Sequence, residues 1–104
     1  MGKDNEAGEY FKKVLEFDPR HINALNNLGV MYAKEGKFNE AVALINQSLS
    51  IDPNYPNAYV NRSVILKKQG QRKQALEDAL KAQSLGYENL EGYIRELRSH
   101  FSKK

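Results

Sequence analysis

The chain of 104 residues has no cysteine, only two histidines and only three prolines. Without cysteine there can be no disulfide, thiolate zinc site, iron–sulfur cluster or thiol nucleophile, and the redox compartment leaves no trace. No apolar run approaches the roughly 20 residues that span a bilayer, and no apolar signal stretch opens the chain. The expectation is a soluble protein, with the cytoplasm favoured and no membrane insertion. Catalytic strings are missing too: there is no Gly-x-Ser-x-Gly, no P-loop and no Gly-x-Gly-x-x-Gly. His21 and His100 have no partner four residues away for metal ligation, so each reads as structural or solvent-facing. The carboxylates are spread along the chain rather than paired for acid–base work. Asn46-Gln47-Ser48 and Asn61-Arg62-Ser63 match the glycosylation triplet but fall within expected helices. No catalytic residue, metal ligand or cofactor is expected, and the chain does not read as an enzyme.

What is present is globular composition, 40% hydrophobic and 28% charged, enough for one domain over residues 1–104. The net charge of +3 conceals an asymmetry. Residues 1–61 hold six Lys/Arg against eight Asp/Glu, whereas residues 62–104 hold ten against five. An anionic partner would therefore favour the C-terminal half.

A fixed period runs through the chain. Phe17-Asp18-Pro19 recurs as Ile51-Asp52-Pro53, 34 residues on. Gly2, Gly36 and Gly70 keep that spacing, as do Ala7, Ala41 and Ala75. Between these markers the apolar residues follow helical periodicity. Leu25, Leu28, Met31 and Tyr32 make one stripe from Ile22 to Glu35, closed by Gly36. Ala41, Leu44, Ile45 and Leu49 make the next, which stops before Asp52-Pro53 because proline disfavours helical geometry in the residue before it. Further helices are expected from about Pro56 to Gln69, Arg72 to Leu85 and Glu6 to Phe17. A last stripe carries Leu90, Tyr93, Ile94, Leu97 and Phe101. Short links force neighbouring helices antiparallel, so the expected fold is all-α, a solenoid of about six helices in antiparallel pairs.

Leu25-x2-Leu28-Gly29-x2-Tyr32, followed by Ala41-x3-Ile45 and Pro53, closely resembles the tetratricopeptide repeat signature, with Leu25 and Ile45 at its two aromatic positions. The next copy is weaker, with Tyr59, Arg62, Ser63, Leu66, Ala75, Ala79 and Ala82. The resemblance implies a half repeat at 2–21, repeats at 22–55 and 56–89, and a capping helix at 90–104. The chain thus opens on the second helix of a pair. In such repeats Gly29, Ser63, Ala41 and Ala75 fall where paired helices cross closely, so bulk there would push the backbones apart.

Departures from the pattern carry information of their own. Arg62 stands where the repeat has a buried leucine. The expectation is that its stem lies along the core with the guanidinium reaching solvent; the alternative is a pair with Glu77 or Asp78. Leu97 stands where a partner helix would need a small residue, so the last helix reads as a cap. Glu88 and Glu91 lie near its positive end, and Arg98, Lys103 and Lys104 toward its negative end.

In tetratricopeptide arrays the first helix of each pair lines the concave face, and the resemblance assigns that role to Asn23, Asn26, Asn27, Val30 and Lys34. The equivalents one repeat on are Asn57, Val60, Asn61, Val64, Lys67 and Lys68, and the last helix adds Glu91, Ile94, Arg95 and Arg98. Amides that both donate and accept suit a peptide backbone, valines suit apolar side chains, and the cations suit acidic ones. The expected function is a non-catalytic scaffold holding an extended peptide or helix of a partner protein, acidic in character. Some members of the family clamp a terminal carboxylate with a Lys/Asn/Asn/Lys/Arg set. Only Asn61 and Arg95 match it here, with Asn26, Val30 and Glu91 at the other positions, so a full clamp is not expected. Nucleic acid is disfavoured, because no aromatics alternate with the basic residues for base stacking. The rival reading is self-association into a homo-oligomer through Tyr10, Phe11 and Val14, the apolar face of a first helix that has no preceding partner.

Overall fold

A computed structural model describes residues 2–102, and the side chains of residues 6–99 and 101. His100, Lys103 and Lys104, named above, have side chains outside that range. Among the described residues there are six α-helices: α1 Gly2–Phe17, α2 Ile22–Lys34, α3 Phe38–Ile51, α4 Pro56–Lys68, α5 Arg72–Ser84 and α6 Glu91–Ser102. They pack in antiparallel pairs and divide into two compact units, one ending at Pro53 and the other beginning at Asn54. No described helix is long and apolar enough to cross a membrane.

Local chemistry sets the helix ends. His21 precedes α2 with extended backbone, and its Nδ1 accepts the Ala24 amide at 3.1 Å, so this histidine is a helix cap. Pro56 opens α4, where its missing N–H costs no helical hydrogen bond. After α2 and α4 the chain reverses through Gly36 and Gly70, whose φ values of +79° and +82° favour glycine. There Lys37 N–H donates to Tyr32 O and Gln71 N–H to Leu66 O, each at 2.9 Å, closing the last turn. Gly86 follows α5 in the same way, a third such turn that the 34-residue period does not announce. Gly2, grouped by spacing with Gly36 and Gly70, instead lies within α1, which starts four residues earlier than the apolar stripe suggests.

In the first unit α2 packs against both α1 and α3. Leu25, Leu28, Ala41, Ile45 and Leu49 are buried. The α2–α3 crossing is close at Gly29: a Cβ there would lie 3.0 Å from Ile45 Cγ1 and 3.1 Å from the Ala41 carbonyl oxygen. In the second unit α5 packs against α4 and α6. Ala75, Ala79 and Ala82 meet Leu90, Ile94 and Leu97, with Tyr59, Val60, Leu66 and Tyr93 packed around them. Ser63 replaces glycine at the equivalent crossing, and its hydroxyl lies 2.6 Å from the Ala75 carbonyl and 2.9 Å from Tyr93 Oη. Leu97 fills the corresponding place on α6 and is fully buried. Leu90 is buried just ahead of α6, whereas Phe101, counted with the apolar stripe, is exposed.

The expected route for Arg62 is overturned. Its Nε donates to Asp78 Oδ2 and its Nη2 to Asp78 Oδ1, both at 2.8 Å, a two-pronged pair joining α4 to α5. The guanidinium also lies 5.5 Å from the Tyr59 ring centre. With the Asp78 side chain only 10% exposed and the Arg62 side chain 27%, pairing lowers the cost of burying either charge, which a solvent-directed stem would leave on Asp78. The hydrogen bond to Asp78 raises the guanidinium pKa and prevails over the lowering effect of burial.

Candidate binding surfaces

In the first unit α2 presents Asn23, Asn27 and Lys34 to solvent, while Val30 is half-buried. Asn26 departs from the expected face: it is 3% exposed. The reason is helical geometry. Residues three apart share a face, so Asn26 stacks over Gly29 and beside Leu25 on the side that turns inward. It is therefore part of the packing and offers nothing to a ligand at the surface.

In the second unit the polar face of α4 is uneven. Asn57, Val64 and Lys68 are exposed, Asn61 is half-buried, and Val60 packs against the α5–α6 core. Lys67 is engaged: its Nζ lies 3.0 Å from Glu96 Oε2 and 5.4 Å from the Tyr93 ring centre. Arg95 and Arg98 differ from it. Both are exposed on α6, and neither has an ion pair among the described residues. They line a cleft with Glu91, Ile94 and, from α5, Gln83. Ile94 was expected on the binding face with Arg95, but it is 4% exposed and belongs to the core, its side chain reaching the cleft only as a lining. Gln83 carries no signal in the sequence, because the resemblance directs attention to first helices and Gln83 sits near the end of a second one. The Lys67–Glu96 pair was equally hidden, since the two residues are 29 apart and on different helices.

On α1 the three residues named for self-association separate. Tyr10 is 63% exposed, whereas Phe11 and Val14 are half-buried. The Phe11 ring meets Tyr10 edge-on with centres 5.5 Å apart. An open depression on this side is lined by Glu6, Glu9, Tyr10 and Lys13. On the other side, Lys12 and Lys37 flank the Tyr32 ring at 6.0 and 5.6 Å from its centre.

Among the described residues, no group of three or more His, Cys, Asp or Glu side chains could hold a metal ion. The serines of both glycosylation-like triplets, Ser48 and Ser63, are fully buried within their units.

Comparison with known proteins agrees with this architecture. Tetratricopeptide repeat family models match residues 22–55, 44–77 and 1–21. No curated protein matches the chain. Among solved structures, the first TPR of Spaghetti (RPAP3) bound to the HSP90 peptide SRMEEVD superposes with a TM-score of 0.87 at 22% identity, over 98% of this chain and 82% of that one. The first TPR domain of human RPAP3 gives 0.87 at 22% identity, over 97% and 81%. The Arabidopsis OM64 TPR domain gives 0.85 at 19% identity, over 95% and 84%. At such identities the likeness establishes the fold. Repeated close crossings at Gly29 and Ser63, repeated glycine turns and the three family matches agree: the chain belongs to the tetratricopeptide repeat family.

Proposed function

We propose that this chain is a non-catalytic interaction module that holds an extended, acidic segment of a partner protein along the exposed faces of its first helices. The observation that carries the reading is the division of cations in the second unit. Arg62 and Lys67 are held by Asp78 and Glu96, while Arg95 and Arg98 remain exposed without an ion pair among the described residues. Guanidinium groups so placed suit two-pronged hydrogen bonding to carboxylates. On the first unit, Asn27 offers an exposed amide suited to peptide backbone. The HSP90 peptide held by the first TPR of Spaghetti contains two glutamates and an aspartate, which supports an acidic segment as the partner class. A full carboxylate clamp does not form part of the proposal, since Asn26 is buried and Val30 and Glu91 occupy two more of its positions.

The test is alanine at Asn27, Asn61 and Arg95 together, read as affinity for a partner segment. We expect a loss of about tenfold or more, the size of one or two charge-assisted or amide hydrogen bonds. Unchanged affinity in a folded triple variant would remove these faces from the account.

The exposure of Tyr10 favours a second reading, in which α1 docks on another copy of the chain. Light scattering across a concentration range separates the two. A dimer that Tyr10→Ala abolishes would establish self-association, and a monomer at every concentration would dismiss it.

A further inference from the structure

We propose that the end of the second unit formed by the α4–α5 turn and the last turn of α6 docks on the surface of an anionic lipid bilayer. This goes beyond the peptide-holding role and uses neither the asparagines nor Arg95. Helix direction brings the three ends together. Ser63 Oγ lies 2.9 Å from Tyr93 Oη and Lys67 Nζ 3.0 Å from Glu96 Oε2, so α4 and α6 run the same way. The Arg62–Asp78 and Ser63–Ala75 contacts return α5 antiparallel to α4. Lys68 at the end of α4, Arg72 and Lys73 at the start of α5 and Phe101 near the end of α6 therefore gather at one end of the unit.

The first unit supplies the comparison. Its equivalent turn, Lys34 to Glu40, carries two lysines and two glutamates, with Lys37 and Glu35 paired at 3.3 Å. In the second unit residues 68–74 carry three cations and no carboxylate, and Gln69 and Gln74 stand where the first has Glu35 and Glu40. Lys68, Arg72 and Lys73 have no ion pair among the described residues. Arg72 and Lys73 also occupy the positive end of a helix whose first turn holds no acidic residue, where the helix dipole disfavours cations. A layer of lipid phosphates and carboxylates offsets that repulsion at all three positions together. Phe101 is 39% exposed, an apolar ring with no hydrogen-bonding group, which suits the boundary between headgroups and acyl chains. The sequence adds Lys103 and Lys104 directly after α6.

The experiment is co-sedimentation of the full chain with vesicles of phosphatidylcholine, with and without phosphatidylserine. Binding is expected only where phosphatidylserine is present, and it should fall as salt screens the charges. Each Lys or Arg at such a surface contributes about fivefold, so Lys68→Gln, Arg72→Gln and Lys73→Gln together should weaken binding about a hundredfold. Gln69→Glu with Gln74→Glu, which installs the first unit's residues, should also weaken it while keeping every cation, and it carries the test if the triple variant folds poorly. Phe101→Ala should weaken binding severalfold without changing its salt dependence. Asn27→Ala with Asn61→Ala should leave vesicle binding as it is, which separates this face from the peptide-holding one. Equal sedimentation with phosphatidylcholine alone, or undiminished binding in both charge variants, would overturn the docking face. So would half-saturation by an oligouridine or by hexaglutamate at a lower concentration of negative charge than the vesicles require.

Discussion

Gly29 marks a close approach of α2 to α3, with the Ala41 carbonyl and Ile45 Cγ1 standing 3.1 and 3.0 Å from where a side chain would begin. A helical alanine is better than glycine by about 1 kcal/mol in propensity alone. Here the added methyl meets a backbone carbonyl that cannot step aside, and overpacking costs about 1–3 kcal/mol. Gly29→Ala should therefore lower stability in urea denaturation, and a rise in the midpoint would show that the crossing relaxes. This position was legible in the sequence, because a glycine inside an amphipathic stripe, matched by the small Ser63 one repeat on, signals two helices in close approach. The capping role of His21 was not. A histidine before a helix carries no fixed meaning until its Nδ1 is seen against the Ala24 amide. Asn26 misled for a related reason: the repeat position names a face, while burial depends on what packs over that face.

Between elements, the two units solve the same packing problem with different chemistry. Where the second unit has Arg62 on α4 and Asp78 on α5, the first has Leu28 on α2 and Leu44 on α3, one repeat earlier. The charged pair thus stands at the two positions where the first unit has leucines. Asp78→Ala should cost about 1.5–3 kcal/mol, since it strands a partly buried guanidinium. The double change Arg62→Leu with Asp78→Leu, which installs the residues found at the equivalent positions of the first unit, should recover most of that loss or exceed the parent, as apolar replacements of buried ion pairs often do. Chemical denaturation of the single and double variants measures the coupling, and additive effects would mean that the pair is not a unit. The raised pKa of Arg62 adds nothing to pH dependence near neutrality. Its contribution is present below the ordinary arginine value and fades only as pH rises through the still higher folded value. The sequence offered the Arg62–Asp78 pair only as an alternative. Periodicity identified Arg62 as misplaced, but the choice between solvent and partner depends on side-chain reach, which spacing does not encode.

At the scale of the whole chain, the excess of positive charge lies after residue 61, ten Lys/Arg against five Asp/Glu. The structure resolves that excess into engaged and unengaged cations, and only the latter can recognise a ligand without first giving up a partner. Fold was legible from the 34-residue period because the apolar stripe recurs along the chain, with the glycine turn at Gly36 and Gly70 and the proline stop at Pro19 and Pro53. The binding faces were legible only as lists of positions. Exposure removed Asn26 and Ile94, ion pairing set Lys67 apart, and the α5–α6 cleft added Gln83. The claim that first-helix faces capture a partner segment is tested most directly by selecting peptides from a displayed random library and mapping the tightest onto the backbone amides by NMR. The account predicts enrichment of acidic peptides, with shifts concentrated on exposed residues of α2, α4 and α6. Shifts concentrated on the outer faces of α3 and α5, or no peptide enriched over the Asn27, Asn61 and Arg95 alanine variant, would contradict it.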